Sequence, residues 1–273
     1  RVPRVRIAVG CHPHNAKFYD DGLEADLRRM LKDPRVAALG EIGLDYHYDF
    51  SPRDDQREAF RRQLRLAKEA GLPVVLHLRE AHDEALAIMR EEGFPEAGTL
   101  LHCFNLDWAT LEPWVEEGCY VAFGGALTFK NADDTREAAA RVPADRLLTE
   151  TDAPYMTPEP MRGMTCLPDH VLFTAERLAE ACGRAPGAQR EEFLARLMDN
   201  ARELLDRPAT AGRRTKERDA YEATHHQRFP SGARAQRGRR GGRALRFRGL
   251  LRRRRRAARV ARGRAHLALH GMR

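Results

Sequence analysis

A chain of 273 residues with 42% hydrophobic content has the material for one large α/β domain or two small ones, which excludes a wholly disordered protein. The formal net charge of +8 is misleading: residues 208–273 hold 21 basic and three acidic side chains, net +18, whereas the preceding 207 residues hold 27 basic and 37 acidic, net −10, which excludes a basic groove spread over the body. No apolar run approaches the roughly 18 residues of a membrane span, and five scattered Cys without a C-x-x-C exclude a disulfide framework.

The chain opens on RVPRVRIAVG, with strand-forming residues at once, no Met and no signal-peptide core, so its front reads as cut. Val5–Gly10 is the first predicted strand; Val36–Gly40, Pro73–Leu76, Thr99–Leu101, Cys119–Phe123 and Arg146–Thr149 follow. Each is a continuous apolar run, as expected for strands buried on both faces of a parallel sheet. Between them the helical period takes over. Phe60, Leu64 and Ala67 share one face of Arg53–Ala70, which Gly71-Leu72-Pro73 stops. Ala81–Glu92 aligns Ala85, Ile88 and Met89; Asp169–Cys182 aligns Val171, Ala175, Leu178 and Cys182; Gln189–Leu205 closes the series.

Six βα units predict a parallel sheet with right-handed crossovers. Two architectures fit: an open doubly wound sheet, or a TIM-type (β/α) barrel lacking its first two units. No G-x-G-x-x-G follows a strand, so a dinucleotide fold gains no support. After Pro208 the text turns to Arg, Gly and Ala, with five consecutive Arg at Arg252–Arg256, and that composition predicts a disordered tail. Such a tail can bind nucleic acid without specificity; it also reads as a solvated appendage or as an out-of-frame translation of GC-rich DNA. The expected division is a hydrolase barrel over 1–207 and the tail over 208–273. Cys11, Cys103, Cys119, Cys166 and Cys182 read as reduced, mostly buried thiols, which predicts a cytoplasmic protein.

Polar residues follow the predicted strands. Val36–Gly40 runs into Glu41, Pro73–Leu76 into His77, Thr99–Leu101 into His102, and Arg146–Thr149 into Glu150, Thr151 and Asp152; Val5–Gly10 leads to Cys11, His12, Pro13 and His14. Spacing by whole βα units returns Glu41, His77, His102 and Asp152 to one end of the sheet, and in a barrel that C-terminal end carries the active site. Two imidazoles and two carboxylates suit one or two divalent cations such as Zn²⁺ or Mn²⁺. Glu41 can bridge two ions, and Asp152 can accept a proton from an attacking water. Asp152 is also a candidate helix cap.

At these residues the sequence resembles the TatD-type deoxyribonucleases of the amidohydrolase-like barrel group. The matching text is GCHPH at Gly10–His14, GEIGLDY at Gly40–Tyr46, the stretch from Gln56 to Ala67, PVVLHLREAHDE at Pro73–Glu84, HCF at His102–Phe104 and ETDAPYM at Glu150–Met156, then Arg162-Gly163 and Asn200-Ala201-Arg202. The resemblance implies a TIM-like barrel that hydrolyses DNA with divalent metal (Mg, Mn or Zn), often as an exonuclease. It implies that Glu41 bridges the metals, that His77 and His102 hold one ion, and that Asp152 binds the other and manages the water. His12 would sit near the metals or the phosphate, and Arg79 and Arg162 would reach the substrate.

Two departures stand out. The family opens with a strand ending in a His-x-His pair, which nothing here supplies; His12-Pro13-His14 belongs to the additional GCHPH text. Where the family commonly reads Asn-Glu-Pro, this chain reads Thr165-Cys166-Leu167-Pro168. With two imidazoles and two strands lacking, weak or no activity is expected of this chain by itself. The expected partner is a DNA substrate, with no membrane and no obligate protein partner. Competing readings are a hydrolase of small-molecule esters or amides, a nucleic-acid binder acting through the Arg-rich tail, and a nonfunctional gene fragment.

Overall fold

The computed structural model describes residues 5–206. The expected disordered tail, with Arg252–Arg256, lies outside the described residues. Among these residues no helix is long and apolar enough to cross a membrane.

Six strands form one parallel sheet: β1 (Ile7–Val9), β2 (Val36–Asp45), β3 (Val74–Arg79), β4 (Thr99–Leu101), β5 (Tyr120–Phe123) and β6 (Leu147–Thr149). Their spatial order is the chain order, β1-β2-β3-β4-β5-β6. A doubly wound sheet reverses its strand order at a switch point. None occurs here, so the wall is that of a (β/α) barrel, with six parallel strands.

Among the described residues seven α-helices accompany the strands: α1 (Asp21–Met30), α2 (Arg53–Ala70), α3 (His82–Glu92), α4 (Trp108–Glu116), α5 (Asp133–Arg141), α6 (Val171–Ala181) and α7 (Ala188–Leu205). Helix ends obey local chemistry. Asp20 caps α1 by accepting the Leu23 N–H at 2.8 Å, and Asp107 caps α4 through Thr110 at 2.9 Å; each such cap is worth about 1 kcal/mol. α2 stops at Gly71, whose φ of 61° is the left-handed conformation that glycine adopts without penalty.

Both faces of the sheet are covered. Leu39, Leu76, Leu101, Val121 and Leu147 join the main core with Phe60, Leu64, Met89 and Trp114 from the helices. Leu100, Tyr120, Ala122 and Leu148 form a second cluster with Leu204 of α7. That double burial is why the strands read as unbroken apolar runs. α7 ends against the N-terminal edge of the sheet: an added Cβ at Gly98, just before β4, would stand 2.6 Å from the Leu204 side chain. Asn200 ties the same helix to the carbonyls of Ala144 and Leu147. The opposite edge, where the strands end, is left for polar side chains.

Candidate metal centre

Strands β2 and β3 outrun their predicted ends, by five and three residues, to Asp45 and Arg79. Glu41 therefore lies inside β2 rather than after it. The extension pairs Gly43 with His77 and Asp45 with Arg79. The register shifts at Glu41, between Gly40 and Ile42, and Glu41 and Asp45 both reach the His77 ring with Gly43 between them in the chain. Gly43 has φ 136°, and a Cβ there would stand 2.2 Å from the His77 carbonyl oxygen. Only glycine lets the two strands approach this closely.

One oxygen is central. Glu41 Oε2 lies 3.8 Å from each of His12 Nε2, His77 Nδ1 and His102 Nε2. These separations are too long for hydrogen bonds, yet all three nitrogens converge on the same carboxylate. Glu41, His77 and His102 form a group whose donor atoms lie within 4.8 Å of one another.

The rear of each ring decides what its front can do. His77 Nε2 donates to Asp45 Oδ2 at 2.9 Å, which leaves the lone pair on Nδ1, facing Glu41. His102 Nδ1 meets Glu150 Oε2 at 2.9 Å, which in the neutral ring leaves the lone pair on Nε2. A carboxylate behind an imidazole in this way orients the ring and raises its basicity toward a metal. His12 is wired oppositely. Its Nδ1 accepts the His14 N–H at 3.2 Å, so the neutral ring presents Nε2–H to Glu41. His77 and His102 are thus arranged as ligands, and His12 as a hydrogen-bond donor.

Asp45 is fully buried and has all of its acceptor capacity in use. Oδ2 also receives His14 Nε2 at 2.9 Å, and Oδ1 receives the backbone N–H groups of His47 and Tyr48. Burial alone would raise its pKa, but these hydrogen bonds outweigh it and hold the carboxyl down to about 2. His12 is pushed down to about 3 by burial and by its neighbours His77 and His14. Burial also lowers His77, against the pull of Asp45. His102 goes the other way, because Glu150, Glu41 and Asp152 overcome its burial and raise it to about 9.

Among the described residues no Lys or Arg makes an ion pair with Glu41, Asp45, Glu150 or Asp152, and buried Glu150 Oε1 has no hydrogen-bond partner. Four carboxylates share the centre with the imidazoles of His12, His77 and His102. The proton held by His102 marks a deficit of positive charge, which a divalent cation bound by imidazole and carboxylate donors would fill. The residues present fit such an ion.

Other expected site residues stand at varying distances from this point. Asp152 is half-buried at φ 53°, within electrostatic range of His102, Glu150 and Glu41, and its carboxylate makes no hydrogen bond or ion pair with a described residue. It lies outside the tight three-residue group. No helix follows it directly, so it is not a cap. Burial raises its pKa, Glu150 and Glu41 adding to the effect against the opposing His102. Arg79 lays its guanidinium over the Tyr48 ring at 4.7 Å. Arg162 stacks on Phe129 at 4.0 Å and lines a separate cleft of about 520 Å³ with Asn105, Lys130 and Asn131. Asp45, Glu150 and His14 were not among the expected site residues, although Asp45 sits in the GEIGLD text.

The family model of TatD-related DNases matches residues 1–206. The chain belongs to this family. It is 41% identical over 173 residues to the uncharacterized metal-dependent hydrolase YabD of Bacillus subtilis, covering 63% of this chain and 68% of that protein. It is 40% identical over 155 residues to the 3'-5' ssDNA/RNA exonuclease TatD of Erwinia tasmaniensis, covering 56% of this chain and 60% of that protein. Among solved structures, the TatD homologue YjjV of Escherichia coli superposes with a TM-score of 0.68 at 31% identity, over 74% of this chain and 77% of that one. The TatD-family chain is therefore a metal-dependent hydrolase by family, and its six parallel strands have TIM-barrel-like structural neighbours.

Proposed function

We propose that this TatD-family centre hydrolyses phosphodiester bonds of single-stranded DNA, releasing nucleotides from the 3' end. The observation that carries the reading is the convergence of His77 Nδ1 and His102 Nε2 on Glu41 Oε2, each ring braced from behind by a carboxylate. The Erwinia tasmaniensis relative, a 3'-5' ssDNA/RNA exonuclease, supports the polarity and the substrate class.

In this reading Glu41, His77 and His102 would hold one divalent cation, and Asp152, with Glu41, would offer oxygens to a second. Imidazole donors favour Zn²⁺ or Mn²⁺ over Mg²⁺. A cation bound there supplies Lewis acidity toward a phosphoryl oxygen. The chain does the rest. Asp152, whose carboxylate burial makes more basic than usual, accepts the proton of the attacking water. His12 Nε2–H donates to a non-bridging phosphate oxygen, and it stays neutral at working pH because its pKa is about 3. Arg79 supplies charge to the phosphate backbone.

The test is cleavage of a 5'-labelled single strand by the purified chain with Mn²⁺, with chelator, and with Asp152→Asn. The reading predicts slow stepwise shortening from the 3' end, in keeping with the weak activity expected of this chain by itself, that chelator abolishes and Asp152→Asn reduces by roughly 100-fold or more. Cleavage indifferent to both, or hydrolysis confined to small-molecule esters, rejects it.

A further inference from the structure

We infer that Tyr48 and Phe50 form a stacking platform for an unpaired nucleobase of a DNA strand, next to the metal centre. The inference rests on the nuclease reading above and specifies what that site grips.

The two rings are parallel, 18° apart, with centroids 5.3 Å from each other. Both are exposed, 47% for Tyr48 and 56% for Phe50. Exposed aromatic rings on a loose loop would mean little, but this loop is held. The Tyr48 N–H donates to Asp45, Ser51 Oγ donates to the His14 carbonyl, and the Lys17 ammonium donates to the Phe50 carbonyl. The loop thus keeps two stacked rings about half exposed in a fixed arrangement, at a hydrophobic cost that a flat ring docked against their free surface would recover.

Position and charge select the occupant. His14 meets Tyr48 and Phe50 edge-on at 5.4 and 4.8 Å, and the same ring lies 4.3 Å from His12 and 5.9 Å from His77. A single imidazole therefore separates the platform from the metal centre. Two cations flank it: Arg79 over Tyr48, and Lys17 beside Phe50. Neither makes an ion pair with a described carboxylate, while most arginines of this acidic body are paired, as Arg28, Arg53, Arg57 and Arg62 are. Flat apolar faces, unpaired cations alongside and a hydrolytic centre one ring away match a nucleobase with its phosphates. In a duplex both faces of a base are covered by its neighbours, so the platform selects an unpaired one.

The decisive measurement is binding, with chelator present, of a fluorescent oligothymidylate and of an abasic strand of equal length. Both strands carry the same phosphates, so attraction to the Arg-rich C-terminal residues cancels in the comparison. The platform predicts that the base-bearing strand binds roughly 5- to 150-fold tighter. Tyr48→Ser with Phe50→Ser removes that preference, Tyr48→Trp retains it, and in turnover the double variant raises KM while sparing kcat. If the Ser pair unfolds the loop in a circular-dichroism melt, Tyr48→Leu with Phe50→Leu keeps the bulk without the π-face and makes the same prediction. Equal binding of the two strands, or an unchanged preference in the double variants, overturns the platform even if cleavage is intact. A base preference in a chain that shows no metal-dependent cleavage leaves the platform standing and removes the nuclease reading.

Discussion

Asp45 Oδ2 holds His77 Nε2 at 2.9 Å, and that contact decides which nitrogen of the ring faces Glu41. What the ring can offer a cation is set by the residue behind it. Replacing Asp45 with Asn tests this without creating a cavity. The amide oxygen can still accept the N–H groups of His47 and Tyr48, but the amide NH₂ would then confront the Nε2–H of both His14 and His77. His77 must switch tautomer and turn a proton toward the metal. Metal affinity should fall by roughly 10- to 100-fold, read by calorimetric titration with Zn²⁺ or Mn²⁺. Unchanged affinity would separate Asp45 from the centre. The substitution also removes an acid-sensitive stabilisation. With a folded-state pKa of about 2, the Asp45 carboxylate stabilises the fold above the ordinary carboxylate range, and this is lost as pH falls toward 2.

The proton on His102 gives a second prediction. Its folded-state pKa is raised to about 9, so its imidazolium stabilises the metal-free chain fully below the ordinary histidine range, and that contribution is lost as pH rises through 9. A metal ion competes with this proton. Affinity should rise with pH up to about 9, and near neutrality each binding event should release about one proton. Titration in two buffers of different ionisation enthalpy measures the release. Glu150→Gln should return His102 toward its usual range, shrink the release and weaken binding. Metal uptake with no proton released at neutral pH would contradict the assignment.

Gly43 is predicted to be irreplaceable. At φ 136° even alanine is strained, and its Cβ would stand 2.2 Å from the His77 carbonyl. Gly43→Ala should cost roughly 2–4 kcal/mol, because the two strands must separate. It should weaken metal binding as well, since the same separation moves Glu41 from His77. A urea melt within about 0.5 kcal/mol of the native chain would show that the strands give way cheaply.

Gln63 fixes the segment that carries His12. Its amide accepts the Cys11 N–H at 2.7 Å and donates to the Cys11 carbonyl at 3.1 Å, all of it buried. Gln63→Leu leaves both backbone groups unpaired and should destabilise the chain by roughly 1–3 kcal/mol. The predicted outcome is a lower urea midpoint, with KM for a DNA strand raised more than metal affinity is lowered. Unchanged KM would detach His12 from substrate.

The parallel sheet was legible because continuous apolar runs carry it; those runs fitted an open sheet as well as a barrel, and the barrel rested on the polar residues after the strands and on the TatD resemblance. The helix stop at Gly71 and the faces of α2, α3 and α6 were legible too. α1, α4 and α5 were not individually delimited; α1 and α5 carry few apolar residues, and α4 encloses Pro113. The strand ends misled for a physical reason. Toward their C-terminal ends the residues of β2 and β3 alternate, with Ile42, Leu44, Leu76 and Leu78 on one face and Glu41, Asp45, His77 and Arg79 on the other. A reading based on continuous runs stops at the first polar residue and so loses Asp45. Glu150 was passed over for Asp152 because nothing in the sequence reveals that it sits behind His102. The stack of Tyr48 on Phe50 depends on a loop geometry that no periodicity encodes.

Glu41, His77 and His102 are proposed to grip one cation, and anomalous X-ray scattering from crystals grown with Zn²⁺ or Mn²⁺ would locate it. A peak bonded to His77 Nδ1, His102 Nε2 and a Glu41 carboxylate oxygen is expected. A peak bonded instead at His77 Nε2, on the Asp45 side of the ring, or crystals that take up no metal between these three residues, would contradict it.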